Sequence, residues 1–333
     1  MPSKKPLDRQ VVVITGASSG IGLATALAAA ERGARVVLAA RNKEALAEAR
    51  ETIERGGGEA LHVVTDVTDR GQVEALARAA INRFGRIDTW VNDAGLSIFG
   101  RIEEVSIEDH RRLFETNFWG LVHGSLAALP HLKESRGTLI NLGSVASDVA
   151  FPLQGMYCAS KHAIKGFTDA LRIELEEEGA DVAVTLIKPA AIDTPFAENA
   201  KNYTDRAPKL PPPVYRTGEV AEAILHAAEN PRRDIYVGGA GRVMSAAQAV
   251  APRMFDRIGR TMIGQQLQDK PATHRDGALY APREGGNVRG GHPGYVMRRS
   301  LYTRGSLHPL TTAAVVAGVG FAAASLLGGT RRR

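Results

Sequence analysis

The 333-residue sequence predicts an α/β fold: a Rossmann-type doubly wound parallel sheet with helices on both faces. Three observations predict it. Short β-branched runs alternate with longer stretches of helical periodicity, from Val11 to Val237. The first run feeds a glycine-rich turn and then a helix, the order of a nucleotide-binding β–α unit. Aromatic residues make up only 5% of the chain, so the core must be built from Ala, Val, Leu and Ile, as buried parallel strands are.

The elements follow in order. Residues 11–15 read as a buried strand and 21–32 as a helix stopped by Gly33. A second strand is predicted at 35–40, a charged helix at 43–55 closed by Gly56, Gly57 and Gly58, and a third strand at 60–65. The alternation continues with a helix at 72–84, a strand at 87–92, a long helix at 107–133 and a strand at 138–142. Residues 154–178 predict a long helix, 181–188 a sixth strand, 218–229 a helix and 234–237 a last short strand.

Beyond Gly241 the pattern changes, which divides the chain into 1–241, 242–309 and 310–333. Residues 244–264 suggest an amphipathic helix, and 265–305, rich in Gly, Pro and Arg, an extended or disordered linker. Residues 310–329 carry no charge, and twenty helical residues span about 30 Å, the thickness of a bilayer core. Residues 231–333 hold 16 Lys or Arg against 5 Asp or Glu, so the basic character of a chain with net charge +6 belongs to this region. Arginines flank the apolar stretch on both sides, which suits a helix lying in a membrane interface better than one crossing it. A soluble helix packed on the domain or on a partner is the alternative. Nucleic-acid binding by this tail is the weaker reading of its charge. Cys158 is the only cysteine, so no intramolecular disulfide forms and a reducing compartment fits. The short, polar stretch Met1–Gln10 before the first strand leaves no room for a secretory signal. The expectation is a cytoplasmic catalytic region, associated with a membrane through 310–329.

The turn after the first strand reads Gly16-Ala17-Ser18-Ser19-Gly20-Ile21-Gly22. Its glycines let a phosphate approach the backbone, and the following helix points free N–H groups and a positive dipole end at it. The second strand ends at Arg41, with no carboxylate before Glu44. A carboxylate there would bind the ribose hydroxyls of NAD, whereas a guanidinium suits a 2′-phosphate, so NADP is favoured over NAD. An exposed arginine entering a helix is the other reading. Asp66, followed by Val67, ends the third strand where it can reach an adenine edge. Asn92-Asp93-Ala94-Gly95 ends the fourth strand beside the nicotinamide ribose.

Tyr157 and Lys161 are four residues apart on a predicted helix, hence on one face. A tyrosine of pKa about 10 is a poor base at neutral pH, and a nearby ammonium stabilises its phenolate. Ser144 follows the fifth strand, at the carboxyl edge of the sheet, where its hydroxyl can hold a substrate oxygen. Taken alone, such a Tyr/Lys pair is most often two exposed helix residues.

Together with Asn117 and the segment from Lys188-Pro189 to Thr194, these motifs make the chain similar to the short-chain dehydrogenase/reductase family, over residues 9–241. The resemblance implies that Tyr157 is the general acid/base and that Lys161 tunes it and binds the nicotinamide ribose. It implies that Ser144 orients the substrate carbonyl and Asn117 holds a water in a proton relay. Pro189 and Thr194 would lie along the nicotinamide, and 196–216 would cover the substrate, a small apolar alcohol or ketone. Ser97, Ile98 and Phe99 are candidates for an apolar wall. The helices at 109–133 and 154–178 resemble those that pair subunits, implying a homodimer or homotetramer. No metal is expected. Asp93, where the family commonly has Asn, and Ala190, where it usually has Gly, depart from the pattern. A sugar-nucleotide epimerase or dehydratase shares the glycine loop and the Tyr/Lys pair, but its relatives carry a larger C-terminal substrate domain. A non-catalytic cofactor-sensing protein would show a damaged Ser/Tyr/Lys set, and here the set is intact.

Overall fold

The computed structural model describes residues 3–272, 275–283, 285–309 and 312. Its centre is a parallel sheet of seven strands: β1 Val11–Thr15, β2 Arg35–Ala40, β3 Ala60–Val64, β4 Thr89–Asn92, β5 Thr138–Leu142, β6 Ala183–Pro189 and β7 Asp234–Val237. The spatial order is β3-β2-β1-β4-β5-β6-β7. The chain reverses direction across the sheet between β1 and β4, which opens a crevice at their carboxyl ends.

Side chains alternate across a strand, and here both faces are covered. Val12, Ile14, Val36 and Leu38 pack against α1 (Gly20–Glu31) and α8 (Thr217–Glu229) through Leu23, Ala26, Val220 and Ile224. Val11, Val13, Val37 and Trp90 pack on the opposite face. Their partners there are α3 (Arg70–Phe84), α5 (Gly120–Ser135) and α6 (Gly155–Glu177). Every residue of β1 is buried, which is why it reads as an unbroken apolar run. Local capping agrees: Asn42 accepts from the Ala45 N–H at the start of α2 (Lys43–Arg55), and Asp69 from Gln72 at the start of α3.

Three sequence expectations are modified. The helix expected over 107–133 is α4 (Ile107–Phe114) and α5 joined by one π-helical turn, Glu115–Trp119, which holds Asn117. The helix expected over 244–264 is two helices, α9 (Gly239–Val250) and α10 (Pro252–Gln265). Pro252 lacks an N–H and disfavours helical geometry at the residue before it, so the break falls at Ala251. Most important, residues 265–305 are no free linker.

Leu267–Pro271 pairs antiparallel with Arg206–Pro208. Val296–Met297 pairs parallel with Val214–Tyr215. The helix α11 (Leu301–Leu307) seats Thr303 against β7, where its hydroxyl accepts from the Gly238 N–H at 3.0 Å. The segment docks mainly through backbone groups, which composition does not report. The apolar helix expected at 310–329 lies outside the described residues. Among the described residues no helix is long and apolar enough to cross a membrane.

Leu38 is wholly buried at the centre of the sheet. Leu38→Ala is expected to lower unfolding stability by about 2–5 kcal/mol, measured by denaturant titration, through lost transfer energy and the cavity left behind.

Candidate active site

A cavity of about 330 Å³ opens at the carboxyl ends of the strands, a size typical of small-molecule sites. Its floor begins at the glycine turn, where Gly16, Ser18, Ser19, Gly20 and Ile21 all face it. Gly16 has φ +75°, and a Cβ there would stand 2.9 Å from the Ala94 nitrogen, so only glycine lets the ends of β1 and β4 approach this closely. The Thr15 hydroxyl ties those ends together, accepting from the N–H groups of Asp93 and Ala94 at 3.1 and 3.3 Å. The N-terminus of α1 carries no side-chain cap, leaving it suited to an anion. These features fit a dinucleotide: a glycine cradle, a helix start without a side-chain cap and a cavity running onward to Lys161.

At the outer end, Arg41, Asp66 and Val67 line the cavity. Asp66 is bound by Arg112 at 2.8 Å and by the Thr68 hydroxyl at 2.8 Å. These partners hold its carboxyl below the ordinary value although burial opposes them. Arg41 donates to the carbonyls of Ala278, Leu279 and Tyr280, a contact that sequence reasoning missed. Burial lowers its pKa, and the nearby Asp66 carboxylate opposes that shift.

At the inner end, Ala94, Gly95, Ser144, Tyr157, Lys161, Pro189 and Thr194 meet around one space. Tyr157 and Lys161 share one face of α6, with the ammonium 5.8 Å from the phenol ring centre. Lys161 is buried and donates to the Leu142 carbonyl at 2.7 Å. Desolvation brings its pKa down to about 8, with Asp93 opposing. Burial pushes the Tyr157 phenol up, and the Ser144 hydroxyl beside it opposes that. Desolvation thus governs the phenol in this cleft, in place of the expected lowering by Lys161.

Three predicted site residues stand behind the cavity wall. Gly22 lies beneath the turn. Asn92 spends its amide on a buried network, accepting from Trp90 and donating to Asn141 and Ser125. Asn117 is buried, accepting from the Leu96 N–H at 2.8 Å and donating to Ser160 at 3.1 Å. It thus holds the backbone behind Gly95. The π-helical turn that carries it is a rare feature found mostly at functional sites.

The substrate end of the cavity differs from expectation. Ile98 is buried in a core cluster with Val105, Leu113 and Leu279, and Phe99 is wholly buried. Ser97 donates to Gln154. The apolar wall is formed by Phe151, Phe196, Leu210, Met244 and Met262. Two of these come from α9 and α10, beyond the segment read as the catalytic region. Gln154 and Gln266, both buried, join across this wall at 2.6 Å. Ala190 sits in its turn without a positive φ, so the turn does not require glycine there. Cys158 is buried with its thiol raised to about 11, which makes it a packing residue.

The residues matched by the short chain dehydrogenase family model are 10–204. The uncharacterized oxidoreductase YxnA of Bacillus subtilis is 45% identical over 320 residues, covering 95% of this chain and 90% of that protein. That coverage necessarily takes in the C-terminal segment docked on the cleft. A short chain dehydrogenase/reductase of Burkholderia phymatum, solved with NAD, superposes with a TM-score of 0.68 at 28% identity. It covers 75% of this chain and 96% of that one. An alcohol dehydrogenase of Thermococcus sibiricus, complexed with 5-hydroxy-NADP, gives a TM-score of 0.61 at 29% identity. It covers 68% of this chain and 95% of that one. The chain belongs to the short-chain dehydrogenase family, and its class is oxidoreductase.

Asp93 gives a pH-dependent prediction. Burial raises its carboxyl to about 7, against the pull of Lys161 and the Gly22 N–H. A raised carboxyl binds its proton more tightly in the folded state. Wild type therefore loses stability as pH rises from the ordinary value of 3.8 towards 7. Asp93→Asn removes that titration, so its melting temperature should gain on wild type between pH 5 and pH 8. A pH-independent difference in melting temperature would show that the carboxyl is not perturbed.

Proposed function

We propose that the protein is an NADP-preferring oxidoreductase that interconverts an alcohol and a carbonyl, acting on a small apolar alcohol or ketone. The observation that carries this reading is the meeting of Ser144, Tyr157 and Lys161 in a cavity continuous with the glycine turn. A nicotinamide bound there would supply or accept the hydride. Tyr157 gives its phenolic proton to the carbonyl oxygen during reduction and takes it back during oxidation. Lys161, a buried ammonium on the same helix face, stabilises the phenolate that forms. Ser144 donates to the same oxygen and fixes which face of the carbonyl is presented.

The NADP preference is supported by Arg41 at the end of β2, where the chain offers no carboxylate before Glu44 to take the ribose hydroxyls. Its three carbonyl partners hold the guanidinium at the cavity edge. The apolar substrate class is supported by Phe151, Leu210, Met244 and Met262. A homo-oligomer is supported by the exposure of Trp119, Leu126 and Ile173 on α5, α6 and the turn before α5.

Titration with NADPH and NADH, followed by nicotinamide fluorescence, tests the cofactor reading. NADPH is expected to bind more tightly, and Arg41→Ala to narrow the preference for NADPH over NADH about ten- to hundredfold. Equal affinity for the two nucleotides would overturn the preference. In a carbonyl screen with the preferred nucleotide, Tyr157→Phe is expected to lower kcat by about 10²–10⁴. Undiminished turnover in Tyr157→Phe would remove the tyrosine from the chemistry.

A further inference from the structure

The C-terminal segment crosses the cofactor cleft and is bonded to both of its walls. On the adenosine side, Arg41 donates to the carbonyls of residues 278–280, and the Asn42 amide donates to the Arg283 carbonyl at 2.8 Å. At the glycine turn, the Gly286 N–H donates to the Ser18 carbonyl at 2.8 Å, and the Gly20 N–H to the Asn287 carbonyl at 2.9 Å. On the opposite wall, the Ala278 N–H donates to the Asn199 carbonyl at 2.8 Å, and the Gly291 N–H to the Glu198 carboxylate at 2.7 Å. Between these anchors the Arg283 side chain spans the cleft and donates to the Glu198 carbonyl at 2.6 Å. Ala278, Pro282, Arg283 and Gly285 all line the same cavity as the glycine turn.

We propose that residues 278–283 and 285–291 form a strap that closes over a bound dinucleotide, with the Arg283 guanidinium contacting its pyrophosphate. This rests on the reading of the cavity as a nicotinamide-cofactor site. Pyrophosphate belongs over the start of α1, where the strap's Asn287 carbonyl now takes the Gly20 N–H, and Arg283 is the strap's cation that spans the cleft to α7 (Phe196–Asn199). Its present partner is a neutral carbonyl, which a phosphate oxygen outcompetes as an acceptor. A strap fastened on both sides must lift before a nucleotide enters or leaves, so association and release are both slowed. Gly285 makes the seating possible: a Cβ there would stand 2.6 Å from the Ala45 Cβ and 3.1 Å from the Ser18 oxygen.

The test is nucleotide exchange in the full-length protein. Wild type, Arg283→Ala, Gly285→Val and Arg289→Ala are loaded with NADPH or NADH. Each is then chased with excess oxidised nucleotide while nicotinamide fluorescence is followed. Arg289 is an exposed cation of the same segment and controls for loss of charge alone. Arg283→Ala is expected to weaken both nucleotides alike, by about tenfold, the loss of one charge-assisted hydrogen bond. Gly285→Val is expected to speed association as well as release, a gain that a merely damaged fold would not produce. The proposal is overturned if release from Arg283→Ala and Gly285→Val matches wild type, or if Arg289→Ala shows the same loss. It is also overturned if Arg283→Ala weakens NADPH alone, which would move the contact to the 2′-phosphate. Failure of wild type to bind either nucleotide would overturn the cofactor reading and the strap together.

Discussion

A parallel sheet covered on both faces has one place where polar chemistry can gather, and the rest of this molecule depends on that constraint. The interiors of β1 and β2 admit almost nothing but aliphatic side chains. Groups that must meet water, phosphate or substrate are pushed to the carboxyl ends, where each strand gives way to a turn. The glycine turn after β1, Asp66 after β3, Gly95 after β4, Ser144 after β5 and Pro189 at the end of β6 are neighbours for that reason alone. The strand order, reversing between β1 and β4, supplies the crevice between them.

Within that crevice the charges are few and poorly solvated. Lys161 is nearly dry, its nearest acceptor is a backbone carbonyl, and the carboxylate that helps it stay charged is Asp93. Each counters the other's desolvation: Asp93 favours the ammonium, and Lys161 favours the carboxylate. The asparagine usual in this family at position 93 would leave the ammonium without that support. The aspartate is therefore a change in the electrical setting of the tyrosine, although it leaves every acid/base residue in place.

The legible parts of the fold and site share a cause. Strands such as Val11–Thr15 and Arg35–Ala40 were visible because burial on both faces leaves an unbroken apolar run. Tyr157 and Lys161 were visible because the four-residue spacing of a helix places them together. What stayed hidden was carried by the backbone. Arg41 was read as facing a ligand, and nothing in its neighbours announced that carbonyls from residues 278–280 would hold it. Residues 265–305 looked like a linker because their Gly, Pro and Arg content lacks an apolar stripe. Yet their amides and carbonyls bond to both walls of the cleft, and isolated apolar side chains such as Leu267 and Leu279 are buried beside them. Asn92 and Asn117 were recognised as important from their motifs, but their inward orientation depends on Trp90, Asn141 and Ser160, which no local pattern joins to them.

The cleft is assembled from the two ends of the chain, Ser18 and Gly20 from one and Gly286 and Asn287 from the other. Contacts of such long sequence separation form late, because the entropy of closing the loop is met before the contact rewards it. During synthesis the sheet can be complete through β7 while the pocket still lacks its outer wall. A chain that stopped at the end of the sheet would retain the acid/base residues yet present them in an open trough. In this molecule the outer wall of the pocket is therefore completed by residues 278–283 and 285–291, well after the whole sheet in chain order.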